Sequence, residues 1–402
     1  MKFLIIEQDL RVTGTSQGVI SRSFLAKLNK LYPTSVIDVH LITPSDARDD
    51  LDLLPVNYVK KHLVNTKVPK HLIFLNRFYW RLFHVSLKEL YVYQKYASII
   101  KAIDYQSYDH IFIRSAGINH EIIMATHGLP ILKKAIVNFH DPYPLTWYVG
   151  AQSKVSNLEL FRLKRAMEIA EHAKACSTTA INMSHDLQHL YASKKKFYTL
   201  PHQFDPSVFN LLDKSKVRHK QKSISISYHG AVMFGRNIEN VIQAYEMLLN
   251  ENTFYQKETE LVLRMKGDGV NALKDKFQNH DNIHLLDQLD FANSANEQIE
   301  ESDIVLILEN GPDYCNILVG KAPFLAYYNK PLLSISPEKS ELRNIIIDER
   351  CIANMHDIKE IKQKLKFLID NRLVSNEPFY PFGDYFSDEN FKRQLDIIFT
   401  ND

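Results

Sequence analysis

Twice in this chain an apolar run stops at glycine and polar residues and gives way to a helical pattern. The second of these starts, at mid-chain, restricts the possible folds most. Pro201 to Phe209, PHQFDPSVF, leads into Ser223 to Leu248, SISISYHGAVMFGRNIENVIQAYEML. Ser223 to Tyr228 alternates isoleucine with serine in a β-compatible run. Gly230 and Gly235 permit tight backbone turns, and Ile238, Val241, Ile242 and Tyr245 recur at helical spacing. The pattern predicts strand, turn and helix, and a chain that begins such a unit twice is expected to hold a ligand between its halves.

The predicted turn has a chemical use. Amides at a helix N-terminus, with the helix dipole behind them, attract phosphate, and Arg236 adds a cation able to bind oxygens in pairs. A diphosphate fits there. The alternative is an ordinary strand-to-helix turn with a surface arginine, because the stretch lacks a complete GxGxxG.

At 402 residues and 45% hydrophobic, the chain can bury two cores of ordinary size. KFLIIEQD reads as a buried-type strand, followed by RVTGTSQGVISRSFLAKLNKLYP, a Gly and Ser/Thr loop that enters an amphipathic helix. Ser35 to Leu41, Asp109 to Arg114, Ala135 to Phe139 and Ala173 to Thr178 read as further strands. After residue 201 strands resume near Ser223, Glu260, Asn282, Asp303 and Pro331. Strands alternating with helices imply parallel, doubly wound sheets, so the expectation is an α/β protein of two domains meeting near residues 200 to 220. The charge run at that junction, Leu211 to Ser223, reads as a solvated linker face. Phe382 to Phe399 reads as a last helix, with Ser387 or Asp388 as its cap and Phe391, Leu395 and Ile398 as its apolar stripe.

Cys176, Cys315 and Cys351 have neither CxxC spacing nor an even count, so no disulfide framework or zinc site is expected and a reducing cytoplasm fits. The four apolar residues before Glu7 are too few for a signal peptide, and no later run reaches membrane-spanning length. The net charge of +2 hides one local imbalance. Lys60, Lys61, Lys67, Lys70, Arg77, Arg81, Lys88 and Lys95 face a single acid, Glu89, with Phe74, Phe78, Tyr79, Trp80, Phe83, Tyr91, Tyr93 and Tyr96 interleaved. Such a stretch, residues 60–96, suits the inner face of an anionic membrane or a lipid-linked acceptor, or else a buried helix with lysines at its edges. No nucleic-acid motif accompanies it, so no nucleic acid partner is expected.

The order of an N-terminal glycine loop, FHD at Phe139 to Asp141, ACSTTAINMSHDL, PHQFDPSVF, YHGAVMFGRNIENVI, LVLRMKGDG and DIVLILEN resembles the GT-B fold glycosyltransferases of the family 4 type, over nearly the whole chain. The resemblance implies two Rossmann-like domains facing a cleft: residues 1–200 on the acceptor side, residues 201–380 binding the nucleotide sugar, and a last helix, 381–402, crossing back. It implies retaining, metal-independent transfer from a UDP- or GDP-linked sugar to a glycan or lipid-linked acceptor, in cell-surface polysaccharide or glycoconjugate synthesis. No cofactor is implied, the nucleotide sugar being a substrate. As the sugar leaves, charge grows on the β-phosphate, and cations and amides can stabilise it. Gly230, Arg236 and Lys321 stand for that role. His140, before Asp141-Pro142, stands where a family histidine approaches the donor sugar, with a turn or capping histidine as the alternative. Gly14, Thr15 and Ser16, with Gln17 and Gly18, form the loop that in relatives approaches donor phosphates or acceptor; a plain strand-to-helix turn is the alternative. Arg114, at another strand end, is a further cleft residue.

The chain also departs from the family pattern. Asp205 and Phe209 keep their spacing while His202-Gln203 replace an Asn-Gly pair, and Ala231 stands where relatives often carry arginine. The usual glutamate pair falls on Asn316 and Phe324. Lys321, after Gly320, fits a variant form reading Lys, two residues, Glu-Tyr. Phenylalanine cannot accept hydrogen bonds from ribose, so either another group holds the ribose, with Glu309 as the candidate, or the nucleotide site has lost its ordinary use. Two rivals follow: a non-catalytic GT-B subunit that stabilises or targets a partner transferase, and a sugar-nucleotide epimerase.

Overall fold

The computed structural model describes residues 1–13, 16–115, 117–145, 154–191, 194–267, 269–375 and 377–400. The chain packs as two compact units. Met1–Trp147, Gln152–Val208 and Ser387–Asp402 form one, and Phe209–Phe386 carries the other. The changes of unit fall at 208/209 and 386/387, whereas the sequence places them at 200/201 and 380/381. The cause is local. Arg22, buried in the helix Ser16–Leu31, donates to the Val208 carbonyl from two nitrogens, at 3.0 and 2.8 Å, and so holds the segment up to Val208 on the first unit. The Phe209 ring packs instead on Phe291, with centroids 4.8 Å apart.

The first unit is a parallel sheet of seven strands: β1 (Lys2–Glu7), β2 (Val36–Thr43), β3 (Tyr58–Leu63), β4 (His110–Arg114), β5 (Ala135–Phe139), β6 (Ala175–Thr178) and β7 (Phe197–Thr199), in the order β3-β2-β1-β4-β5-β6-β7. In the second unit β8 (Ile224–Val232), β9 (Thr259–Gly267), β10 (Ile283–Leu286), β11 (Ile304–Leu308), β13 (Leu332–Ser336) and β15 (Ile352–Asn354) form a parallel sheet in the order β10-β9-β8-β11-β13-β15. The short strands β12 (Tyr314–Cys315) and β14 (Lys339–Ser340) pair beside it. In both sheets the chain starts in the middle, builds outward, then crosses back and builds the other way. The crevices where direction reverses, β1/β4 and β8/β11, are where doubly wound sheets place ligands.

The central strands form because both faces of such a sheet are covered, which selects near-continuous apolar runs. Phe3 to Ile6, Ile111 to Ile113 and Ile304 to Leu308 are all buried. The last helix, Asp388–Thr400, belongs to the first unit. The Ser387 hydroxyl accepts from the Asn390 amide at 3.1 Å, Lys27 pairs with Asp388 at 2.5 Å, and Phe399 stacks on His110 with centroids 3.9 Å apart. Its stripe of Phe391, Leu395 and Ile398 is buried, each side chain contributing about 1.5–3 kcal/mol.

Two expectations divide or change. Within residues 60–96 the helix Leu87–Lys101 buries Tyr93, Tyr96 and Ile100, while the helix Lys70–Phe83 buries none of its residues. The buried-helix alternative therefore holds for the second and fails for the first. The run 211–223 is more than a solvated face: Arg218 pairs with Glu260 at 2.9 Å and Lys220 with Asp303 at 2.9 Å. Glu260 is fully buried, and a buried carboxylate requires its cation.

Candidate functional site

At the crevice of the first sheet, Glu7 ends β1 and Arg114 ends β4, and the two are register partners. Both are buried, with Arg114 Nε 2.5 Å from Glu7 Oε1. The guanidinium lies over the Phe24 ring at 3.6 Å, and the Ser21 hydroxyl donates to Glu7 Oε2 at 3.1 Å. Burial pushes the Glu7 carboxyl up to about 7 while Arg114 and Ser21 pull it back. One residue beyond β5, His140 Nε2 lies 3.0 Å from an Arg114 terminal nitrogen, and His140 Nδ1 lies 2.6 Å from Gln17 Oε1. Arginine only donates, so Nε2 is the bare nitrogen and the proton sits on Nδ1, donated to Gln17. Gln17 Nε2 in turn donates to Asp141 Oδ2 at 3.0 Å. Burial, with Arg114, His202 and His120 nearby, holds His140 well below its ordinary pKa, so the ring is neutral. Burial raises Asp141 to about 6, against the Gln17 bond. Glu7, Arg114, His140, Gln17 and Asp141 form a chain in which each link faces a partner. His140 is 1% exposed and both of its ring nitrogens are engaged.

The crevice of the second sheet is built differently. Strand β8 stays paired with β9 as far as Val232 and Gly267, but with β11 only as far as Ser227 and Val305, so the sheet opens beyond those residues. Arg236 spans the opening. Its Nε donates to Asn310 Oδ1 at 3.0 Å, just past β11, and a terminal nitrogen donates to the Ala231 carbonyl of β8 at 2.9 Å. Lys321 Nζ sits 4.6 Å from the centre of the Tyr228 ring, whose hydroxyl also donates to Ala231 O at 2.9 Å. Gly230 lies on β8 rather than in the turn assigned to it from sequence. A Cβ there would come within 2.9 Å of the Tyr228 hydroxyl and 3.1 Å of Lys321 Nζ, so any side chain would have to displace the ends of those two. Gly235, with φ at +76°, turns the following loop so closely against Gly311 that a Cβ would lie 2.8 Å from its carbonyl oxygen. That approach carries Arg236 across the crevice.

Burial, helped by Arg236, lowers the Lys321 ammonium to about 7. His229, on β8 beside them, is held well below its ordinary pKa by burial, Lys321 and Arg264, and its Nδ1 lies 2.9 Å from the Ser294 hydroxyl. Among the described residues neither Arg236 nor Lys321 pairs with a carboxylate. Two half-buried cations that repel one another, with no anion between them, make a site suited to an external anion.

The structure therefore brings Gly230, Arg236 and Lys321 together, and sets His140 and Arg114 in a separate cluster of the first unit. Gly320 is half-buried in the turn before Lys321, and Asn316 is buried after β12. Glu309 is fully buried beyond β11, where its Oε1 accepts from the Leu342 amide at 3.3 Å. Burial raises it to about 7, against the Ser336 and Ser340 hydroxyls, and it exposes no oxygen to a ribose. Phe324 is buried against Tyr328. Ser16 is the exposed first residue of the helix Ser16–Leu31, and Gly14 and Thr15 lie outside the described residues. The helix Glu239–Glu251 has one of its first amides, Asn240 N–H, already capped by the Asn237 side chain at 3.0 Å, so that amide is taken. Sequence reading missed Tyr228, Asn310 and Glu7. The available signals were the period of two that puts Tyr228 on the face of Gly230, and polar residues closing apolar strands. Among the described residues no group of three or more His, Cys, Asp or Glu could hold a metal ion, and no helix is long and apolar enough to cross a membrane.

Two Rossmann-like domains with the last helix returned to the first define the GT-B fold. Solved structures similar over the whole length are enzymes of that architecture. A lipopolysaccharide outer core galactosyltransferase in its apo form matches with a TM-score of 0.58 at 13% identity, over 99% of each chain. UDP-GlcNAc 2-epimerase from Neisseria meningitidis, bound to UDP-GlcNAc, matches with 0.57 at 13%, over 100% of each chain. Sucrose-phosphate synthase from Thermosynechococcus elongatus matches with 0.59 at 10%, over 99% of this chain and 95% of that one. No family model and no curated protein sequence matches. At these identities the likeness is one of fold.

Proposed function

We propose that the protein is a nucleotide-sugar-dependent glycosyltransferase of the family 4 type, retaining and metal-independent, working in the cytoplasm on a glycan or lipid-linked acceptor in cell-surface polysaccharide or glycoconjugate synthesis. The observation that carries this reading is the uncompensated pair of Arg236 and Lys321 at the open β8/β11 crevice beside Gly230. A UDP- or GDP-linked donor places its diphosphate there. The acceptor hydroxyl attacks the anomeric carbon from the face of the leaving group. The bond from that carbon to the diphosphate oxygen breaks, its electron pair stays on the phosphate, and that phosphate takes the acceptor's proton. Arg236 and Lys321 stabilise the charge as it grows. His140, neutral with its proton fixed on Nδ1, serves to position, so His140→Ala lowers turnover with little effect on nucleoside diphosphate affinity.

A second reading, the non-catalytic subunit, is favoured by Phe324, whose buried ring occupies a place where a ribose-binding carboxylate is expected. Thermal-shift titration with UDP, GDP, ADP, CMP and dTDP, without metal and with Mg²⁺, separates the readings. A metal-independent shift with one nucleotide, followed by transfer from the matching sugar nucleotide, supports the transferase. No shift with any of them removes it, and interconversion of the free sugar nucleotide without an acceptor replaces it with an epimerase.

A further inference from the structure

The helix Lys70–Phe83 plays no part in that chemistry. Its only half-buried residues are Leu72, Asn76 and Trp80, four apart, so one narrow face meets the protein, with Trp80 edge-on to Phe161 at 6.3 Å. The opposite face carries Phe74, Phe78 and Leu82, exposed by 58, 58 and 73%, with Leu75 beside them. Lys70, Arg77 and Arg81 fall on the adjoining stripe, and Lys67 and Lys88 are exposed beyond the two ends. Among the described residues none of these five cations forms an ion pair. The one acid of the region, Glu89, is taken up by Arg162 and the Tyr93 hydroxyl, each at 2.8 Å.

We propose that this helix docks on an anionic membrane surface, with Phe74, Phe78 and Leu82 entering the acyl boundary and Lys70, Arg77 and Arg81 against lipid phosphates. The charge is unbalanced in the sense that such a surface complements. The apolar side is a ridge that stands out from the protein, and a ridge enters a fluid phase without needing a partner of matching shape. The proposal goes beyond the transferase reading and stands whether or not a nucleotide binds.

Co-sedimentation of the full chain with vesicles tests it. Vesicles of phosphatidylcholine with phosphatidylglycerol should bind the protein, phosphatidylcholine alone should bind it far less, and high salt should release it. Arg77→Gln with Arg81→Gln should weaken partitioning roughly fivefold per residue, from about 1 kcal/mol for each basic group near the surface. Phe78→Ser with Leu82→Ser should weaken it by at least about tenfold. All four positions are exposed, so circular dichroism and the melting temperature should not change. Absence of binding to the anionic vesicles overturns the proposal, as does wild-type binding by both double variants. A concentration-dependent dimer that Phe78→Ser with Leu82→Ser abolishes, without vesicle binding, assigns the ridge to a second copy and also overturns it. Nucleotide thermal shifts on the same variants keep this outcome separate from that of the donor site.

Discussion

The two sheet crevices share one topology and differ in electrostatic closure. At β1/β4 the buried Arg114 has a buried carboxylate, Glu7, as its register partner, and His140, Gln17 and Asp141 extend the chain until each polar group faces another. At β8/β11, among the described residues, Arg236 reaches neutral oxygens and Lys321 an aromatic ring, with no carboxylate on either. Charges closed inside the protein hold a fold together. Charges left open lower its stability and wait for a ligand. The same residue type, an arginine at a strand end, thus has opposite uses according to whether a carboxylate stands across the crevice.

The strongest way to break this contrast is to remove a cation from each side. Arg114→Ala strands Glu7 in the interior and should destabilise the protein by about 3–5 kcal/mol, read from chemical denaturation. Arg236→Ala should leave the denaturation midpoint near that of the wild type, because no buried anion loses its partner, and Lys321→Ala should raise rather than lower it at neutral pH, because burial holds that ammonium below its ordinary pKa. Each should weaken nucleoside diphosphate binding roughly 10- to 100-fold, the range for charge-assisted hydrogen bonds of about 1.5–3 kcal/mol. Affinity unchanged in both variants would remove the assigned phosphate site.

Lys321 sharpens the comparison through pH. Its folded pKa of about 7 lies below the ordinary 10.5, so between those values the unfolded chain keeps a proton that the folded protein has lost. Stability contributed by this group therefore rises with pH across that window, and Lys321→Met should flatten the rise. Binding runs the other way. The diphosphate needs the ammonium, so affinity should fall as pH rises above about 7, approaching tenfold per unit in calorimetric titrations.

The central strands were legible from sequence because each is a short apolar run buried on both faces; Ala135–Phe139 matches its expected range residue for residue. In the two large sheets the strands not legible in this way, β3, β7 and β15, lie at the edges, and β12 and β14, of two residues each, are too short to show a pattern. Tyr58–Leu63 reads YVKKHL and has no buried residue, so its pairing comes from β2 rather than from its own pattern. The candidate site was legible where chemistry follows residue type, at Arg236 and Lys321. It was not legible where chemistry follows geometry. Nothing in the sequence separates Glu309, buried against Ser336 and Ser340, from a carboxylate aimed at a ligand, and nothing sets Glu7 across from Arg114.

The smallest test concerns an inner link of the closed chain. Gln17→Ala takes the acceptor from His140 Nδ1–H and the donor from Asp141, so stability should fall by about 1 kcal/mol. Asp141 should also titrate higher than in the wild type, because the Gln17 bond is what lowers it against burial. In the wild type, ¹⁵N spectra of His140 should show the neutral Nδ1–H form without titration between pH 5 and 8, about the range in which an unperturbed imidazole changes charge. A ring that gains a proton near its ordinary pKa would mean that Arg114 does not hold Nε2. The first crevice would then be as open as the second, and His140 would be free to act as an acid.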